Sequence, residues 1–154
     1  MDEEAKIERF LAWLKQHGAR FPKLRWPVVV DEATGLRGCI AVEDIAPLEP
    51  MLTLPCLLMM DPVHAFADPH VGAALLGCQD VLEGDLLLTV YLMHEMCKGP
   101  ASFFAPYLDT LPPPDCLSEW PLGDLLLLKD TALLQQTERR RRQLREMYAR
   151  AVEG

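Results

Sequence analysis

The spacing of the apolar residues changes along this chain, and that change limits the folds that the chain can adopt. Between Ile7 and Leu14 apolar residues recur at intervals of three and four, which places them on one face of a helix. Val28–Val30 is a run of β-branched residues, which favours a strand. The later apolar segments again favour helices. The order is one helix, a β-rich patch and then mostly helix, which predicts an α+β fold.

Capping and turn residues set the limits of the first elements. The first helix is predicted over residues 3–17, with Asp2 as its N-cap and Gly18 as the residue that ends it. Turn-forming residues at positions 31–35 separate the first strand from a second strand over Arg37–Val42.

Four further elements are predicted downstream. They are a short strand over Met51–Leu54, a long helix capped by Asp80 and Glu83 and ended by Gly99, a short helix over Trp120–Leu128 behind Ser118, and a final helix capped by Asp130 or Thr131. The long helix is apolar on nearly every face, so we expect it to be buried. Residues 61–70 are expected to be irregular or to form one helical turn, and residues 72–79 to form a short helix or a loop.

Charge and length limit the class of protein. The chain has 154 residues, enough for one domain with a core, and a formal net charge of −8 at pH 7. This acidity disfavours nucleic acid and anionic lipid as partners, because both are anionic themselves. The start MDEEAK is unlike a targeting signal, and no apolar run approaches the roughly 18 residues of a membrane span. We expect a soluble protein of the cytoplasm or nucleus, with organelle import left open.

The residues with chemical reactivity form no recognisable catalytic set. The histidines lack metal-ligand spacing, and neither Ser102 nor Ser118 lies in a Gly-x-Ser-x-Gly motif. The five cysteines are an odd number without a Cys-x-x-Cys pair, which indicates reduced thiols rather than disulfides or a zinc site. We expect all five to be small buried hydrophobic residues.

The sharpest local motif is a Gly-x-x-Gly turn in TGLRGCIAVEDI, Thr34–Ile45. Gly35 and Gly38 leave backbone N–H and C=O groups open to close approach by a ligand. An ordinary β-turn in a small sheet explains the same residues and is the commoner case on local pattern alone. The motif is not a dinucleotide fingerprint, because Gly-x-Gly-x-x-Gly and a following helix are both missing.

Two other segments have unusual compositions. Ser102–Pro114, SFFAPYLDTLPPP, is stiff and apolar, so we expect its rings to pack on the long helix as a structural clasp. Glu138–Glu146, ERRRRQLRE, contains four consecutive arginines, which suggests nucleic acid binding. Its Glu–Arg pairs at a spacing of four are typical of a solvated helix face. We favour the solvated face and keep RNA binding as the lesser alternative.

The order of four segments is similar to that of one known family. In sequence they are FLAWLKQHGARFPKL, GLRGCIAVEDIAPLEPMLTLP, LLTVYLMHEMCKGPASFFAPYLDTLP and EWPLGDLLLLKDTALL, with a basic helix behind the last. From about Phe10 to Tyr148, this order resembles the N-terminal half of SET-domain protein methyltransferases of the Rubisco large-subunit and actin-histidine methyltransferase type. The residues that match the family's Ser-x-(Phe/Trp)-x-Pro-Tyr-(Leu/Ile)-x-x-Leu-Pro segment are Ser102, Phe104, Pro106, Tyr107, Leu108, Leu111 and Pro112.

The resemblance implies S-adenosyl-L-methionine as the cofactor and methyl transfer to a protein side chain, to lysine more than to histidine. It places the cofactor against the glycine turn, so the residues implied to bind it are Gly35, Leu36, Arg37 and Gly38. Where the family usually has Gly-x-Gly, this chain has Leu-Arg-Gly. The family's basic residue before the first helix is replaced here by an acidic stretch, Asp2–Glu4.

By the same resemblance, residues 1–112 form the N-terminal part of the SET domain, and residues 113–154 begin a helical insert that shapes the substrate groove. The family completes its cofactor pocket with an Asn-His pair and orders the methyl acceptor with a later tyrosine. The chain contains no asparagine. We therefore expect a truncated or degenerate part that is inactive alone, and a full-length form that is monomeric. A non-catalytic protein-interaction module is the alternative.

Overall fold

Helices and one small sheet make up the fold, which confirms the predicted α+β class. The computed structural model describes residues 2–80, 84–113 and 115–153. Two antiparallel strands, β1 (Leu24–Asp31) and β2 (Leu36–Ala41), form the sheet. The helices within the described residues are α1 (Glu3–Gln16), α2 (Pro62–Ala67), α3 (Gly72–Gly77), α4 (Gly84–Lys98), α5 (Ala105–Leu108), α6 (Leu122–Leu125) and α7 (Ala132–Glu153).

The first helix begins and ends close to where its sequence predicts. Gly18 adopts a φ of +89°, and the amide of Ala19 donates to the Leu14 carbonyl at 3.0 Å, so the glycine ends α1 as predicted. Asp2 occupies the N-cap position, but its side chain makes no capping hydrogen bond. Its carboxylate, with those of Glu3 and Glu4, still places negative charge at the positive end of the helix dipole.

The sheet is a single hairpin, and the predicted third strand is wrong. β1 extends further than Val28–Val30, because its pairing with β2 already begins at Leu24, opposite Ala41. Within the predicted segment Met51–Leu54, only Thr53 pairs with another strand-like residue, exchanging two 2.9 Å backbone hydrogen bonds with Arg20. Prolines at positions 50 and 55 lack an amide donor, so a longer ladder does not form there.

The described residues divide into two compact units. The first comprises Met1–His64 with His94–Thr110, and the second comprises Ala65–Met93 with Leu111–Gly154. The buried hydrophobic residues of the first unit are Trp13, Ala19, Leu58, Phe104 and Ala105. Those of the second unit are Ala65, Leu75, Leu87, Tyr91 and Leu125. The predicted division between residues 112 and 113 stays a prediction.

The long helix α4 is buried on one face only, which corrects the expectation of burial on all sides. Leu87, Tyr91 and Glu95 are buried at intervals of four residues. Met93 and Met96 are 59% and 58% exposed. Apolar composition predicted burial, but Met carries little packing specificity and tolerates solvent at a helix surface. The predicted capping box involves Glu83, which lies outside the described residues.

The later helices begin at other residues than predicted, with one exception. α6 has Pro121 rather than Ser118 at its N-cap, and it continues as a 3₁₀ turn over Leu126–Leu128. α7 is capped as predicted, because the Thr131 hydroxyl accepts a 3.3 Å hydrogen bond from the Leu134 amide. Residues 61–70, expected to be irregular or to form one helical turn, contain α2, and residues 72–79, expected to form a short helix or a loop, contain α3.

The expected burial of the cysteines is wrong, since all five are free and exposed. Small apolar side chains are buried on average, but each of these cysteines lies at a solvent-exposed position. Within the described residues, no helix combines the length and apolar character that crossing a membrane requires.

Candidate functional site

The hairpin turn is held by its own aspartate. Asp31 ends β1, and its carboxylate accepts hydrogen bonds from the Ala33 amide at 3.0 Å and the Thr34 hydroxyl at 2.6 Å. These bonds, the Thr34 bond first, hold the pKa of Asp31 below its ordinary value. Gly35 closes the turn with a φ of +67°. The turn is thus an ordered local structure with its backbone open to solvent.

The two glycines of the motif have different surroundings. A Cβ atom built on Gly35 would meet nothing within 4 Å, whereas one on Gly38 would lie 3.2 Å from Cγ1 of Val30. Gly38 pairs with Val28 across the hairpin, so its small size allows close packing within the sheet. Gly35 alone presents open backbone to a ligand.

Of the four residues implied to bind the cofactor, Arg37 is the one that faces a groove. The groove has a volume of about 470 Å³ and lies between the first turns of α1 and the hairpin. Its lining residues are Asp2, Glu3, Glu4, Ile7, Glu8, Pro27, Val29 and Arg37. Gly35 and Leu36 lie on the exposed turn beside it, and Leu36 is 59% exposed. The hairpin thus brings the four residues together, but they do not share one cavity.

The groove is rich in carboxylates, and its one lining arginine is engaged. Arg37 Nη1 donates to Glu3 Oε1 at 3.3 Å, and Lys6 Nζ lies 3.9 Å from Glu3 Oε2. Both partners of the Arg37–Glu3 pair are about half exposed, so the pair is weak and exchangeable. The arrangement can attract a cationic group and offer one guanidinium to an anionic group that displaces Glu3. Sequence reasoning missed this groove, since only the tertiary fold brings α1 to Arg37.

Rings of the clasp contact α1 and β1, and their expected packing on the long helix stays a prediction. The Trp13 ring lies 5.4 Å from the Phe103 ring and 6.2 Å from the Phe104 ring. Phe10 lies 6.0 Å from Tyr107 and 5.8 Å from Trp26 of β1. An ion pair of 2.7 Å between Arg9 and Asp109 joins the same two segments. The clasp, α1 and β1 therefore form one aromatic cluster that supports the hairpin.

A buried carboxylate anchors the beginning of the clasp. Glu95 is 2% exposed, and its Oε2 accepts a 2.5 Å hydrogen bond from the Ser102 hydroxyl. Its Oε1 accepts a 2.5 Å hydrogen bond from Lys98 Nζ. The Ser102 hydroxyl oxygen in turn accepts a 3.0 Å hydrogen bond from the Phe104 amide. Glu95 is therefore the centre of a charged hydrogen-bond network.

The arginines of the run on α7 make different contacts. Arg141 holds the helix to the segment before α6, donating from Nε to the Ser118 carbonyl at 2.8 Å and from Nη2 to the Trp120 carbonyl. Among the described residues, Arg142 forms no ion pair with Glu138 or Glu146. Glu138, Arg142 and Glu146 are all exposed, in agreement with the solvated helix face favoured from the sequence, and the side chain of Arg150 lies outside the described residues.

The site is thus an exposed, well-ordered turn beside an acidic groove, supported by an aromatic cluster. Its polar groups are backbone amides and carbonyls, carboxylates and one guanidinium group. Comparison with known proteins gives no relative from which a function could be transferred: no protein-family model, no curated protein and no solved structure matches this chain.

Proposed function

We propose that these residues form the cofactor side of an S-adenosylmethionine-dependent protein methyltransferase whose acceptor is a protein lysine. The observation that carries the proposal is the open backbone at Gly35 next to a groove that Arg37 lines. The order of the sequence segments supports the same assignment. A backbone without a neighbouring side chain lets a flat, polar ligand approach closely.

The charge of the groove suits this cofactor. S-adenosylmethionine carries a sulfonium cation, and four of the lining residues are carboxylates: Asp2, Glu3, Glu4 and Glu8. Arg37 is a partner for the carboxylate of the cofactor's methionine part if that group replaces Glu3. In this proposal the turn and the groove bind and orient the cofactor.

The chain's own residues supply one side of such a pocket. When bound, S-adenosylmethionine supplies an activated methyl group to an acceptor nitrogen, which must be neutral and aligned with the carbon–sulfur bond. The residues that would complete the pocket and order the acceptor, an Asn-His pair and a tyrosine in the resembling family, have to come from outside these 154 residues. Small-molecule sites usually bury about 70–90% of the ligand, so we expect a Kd of roughly 1 mM or weaker and no measurable turnover.

Nuclear magnetic resonance detects such weak binding residue by residue. We expect S-adenosylmethionine added to the ¹⁵N-labelled chain to shift the amide signals of residues 35–38 and of the first turn of α1. Exchanging Glu4 and Glu8 for Gln should lower the affinity for S-adenosylmethionine more than the affinity for S-adenosylhomocysteine, because the latter lacks the sulfonium charge. Glu119→Gln with Glu138→Gln, two exposed positions in the other unit, is the matched control.

Two results would overturn the proposal. One is the absence of any concentration-dependent shift at residues 35–38 with millimolar cofactor. The other is an equal loss of affinity in the groove variant and the control variant, which would show that net charge alone causes the loss.

A non-catalytic interaction module is the second candidate, favoured by exposed apolar side chains on the hairpin. Val29, Val30 and Leu36 are 52%, 50% and 59% exposed, which is unusual for strand residues of a monomer. Such a module would unfold cooperatively and leave its amide signals unchanged when S-adenosylmethionine is added. The same titration therefore separates the two candidates.

A further inference from the structure

One leucine of the chain is both fully exposed and held in a conformation that side chains disfavour. Leu48, in the loop after the hairpin, has a φ of +67° and a fully exposed side chain. A residue with a Cβ atom rarely adopts a positive φ, where Gly or Asn is more common. Met51 and Leu52 in the same loop are 57% and 50% exposed, so the leucine belongs to a larger apolar surface. Strain and exposure at one residue indicate a role outside the single chain.

The loop that carries this leucine, residues 43–52, is held in place on both sides of it, and we call it the leucine loop. Lys23 Nζ donates a 2.6 Å hydrogen bond to the Asp44 carbonyl, before the leucine. The same Nζ donates a 2.8 Å hydrogen bond to Glu49 Oε2, directly after the leucine. The backbone at Leu48 is thus fixed by contacts on either side, which keeps the leucine side chain presented to solvent.

A pocket of complementary character, which we call the basic pocket, lies in the same unit. It has a volume of about 400 Å³ and lies between the end of α1 and the beginning of β1. Its lining residues are Lys15, Ala19, Arg20, Phe21, Pro22 and Leu24. No carboxylate is among them, and neither Lys15 nor Arg20 forms a salt bridge with any residue that the structure describes. The pocket therefore combines an apolar surface with two positive charges that are not neutralised.

The leucine loop and the basic pocket are neighbours. Lys23, which holds the loop, is flanked in sequence by two lining residues of the pocket. The lining residue Arg20 exchanges two 2.9 Å backbone hydrogen bonds with Thr53, directly beyond the loop. Leu48 is fully exposed, so it does not fill the pocket of its own chain. A projection and a cavity that lie side by side can be exchanged between two copies of a chain around a twofold axis.

We propose that the leucine loop of one copy of this chain inserts Leu48 into the basic pocket of a second copy, and that the reciprocal contact forms at the same time. Glu43 and Asp44, at the start of the loop, are exposed, and their carboxylates form no salt bridge within the described residues. In the dimer they meet the two cations of the pocket. An apolar anchor surrounded by complementary charges is typical of a binding hot spot. The proposal is independent of methyl transfer and departs from the expectation of a monomeric full-length form.

Sedimentation equilibrium of the full chain tests the proposal. We expect reversible dimers with a Kd of roughly 0.1 mM, because a contact of this size belongs to the weak class of interfaces. Leu48→Asn should raise this Kd at least about tenfold. Since Asn tolerates a positive φ, this variant should unfold at the same urea concentration as the unchanged chain or a higher one. Leu127→Asn is the matched control, since it alters a leucine that is 82% exposed in the other unit, and it should leave the Kd unchanged.

Charge reversal distinguishes reciprocal insertion from other modes of self-association. The variant K15E/R20E makes the basic pocket acidic, and the variant E43K/D44K makes the leucine loop basic. Each variant alone should be monomeric, because both contacts of its dimer would join like charges. An equimolar mixture of the two should associate, because both contacts of the mixed dimer join opposite charges.

Three results would overturn the proposal. The first is the mass of a single chain at every concentration up to about 1 mM, well above the expected Kd. The second is self-association that Leu48→Asn leaves unchanged, which would assign the contact to another apolar surface such as the hairpin. The third is a mixture of the two charge-reversed variants that stays monomeric, which would exclude the reciprocal contact between loop and pocket.

Discussion

Gly35 and Gly38 lie three residues apart in one hairpin, yet they have different structural roles. Gly35 has a positive φ in open space, so its role is conformational. A Cβ atom on Gly38 would crowd Val30, so the role of this glycine is to allow close packing in the sheet. The sequence motif treats the two as equivalent, but the structure makes only Gly35 available to a ligand.

The conformational role of Gly35 can be tested by adding one methyl group. Gly35→Ala should lower the free energy of unfolding by about 1 kcal/mol, because a Cβ disfavours left-handed backbone even without a steric neighbour. Gly77→Ala is the matched control, since Gly77 also has open space around it but lies at the end of α3. Urea denaturation measures both. An equal effect at the two positions would contradict the conformational explanation.

At the scale of elements, the clasp depends on a buried hydrogen bond that composition does not reveal. Its prolines and rings predicted a stiff, apolar segment, and the rings do pack on a helix. The beginning of the clasp is fixed instead by Glu95, whose carboxylate lies on the buried face of α4. A buried charge is tolerated only with such partners.

The two serines of the chain allow a matched test of that anchor. Ser102→Ala should lower the free energy of unfolding by about 1–3 kcal/mol, because it leaves Glu95 Oε2 and the Phe104 amide without their buried partner. Ser118→Ala removes only a hydroxyl beside the Cys116 thiol and should change stability by less than about 0.5 kcal/mol. Equal values from urea denaturation would show that the Glu95 contact is not an anchor.

Local signals predicted the elements better than their partners. The apolar stripe, Gly18 and Thr131 located α1 and the start of α7, since periodicity and capping act within a few residues. The predicted strand over Met51–Leu54 failed because a strand needs a partner of matching register, and only Thr53 finds one. The same limit explains the clasp, whose ring contacts with α1 no local pattern predicted.

At the scale of the whole molecule, one part of the candidate site depends on residues close in sequence and the other on residues far apart. The turn follows from Asp31 and Gly35, which lie in one short stretch of sequence. The groove requires Glu3 to meet Arg37, a pair separated by 34 positions, and no local pattern encodes that meeting. The resemblance to a methyltransferase family pointed to the turn, whereas the carboxylates of the groove emerge only from the fold.

The cysteines give a measurement that covers the whole molecule, because they are spread over both units. Since all five are free and exposed, Ellman's reagent should titrate about five thiols per chain under native conditions, in one fast phase. The sequence-based expectation of burial predicts the opposite, with thiols that react only as the chain unfolds. The same chain in denaturant supplies the reference count. A native count well below that reference would mean that thiols are covered in solution, either by self-association through the exposed hairpin or by tighter packing. Sedimentation velocity at the same concentration would tell these apart, because only self-association changes the mass.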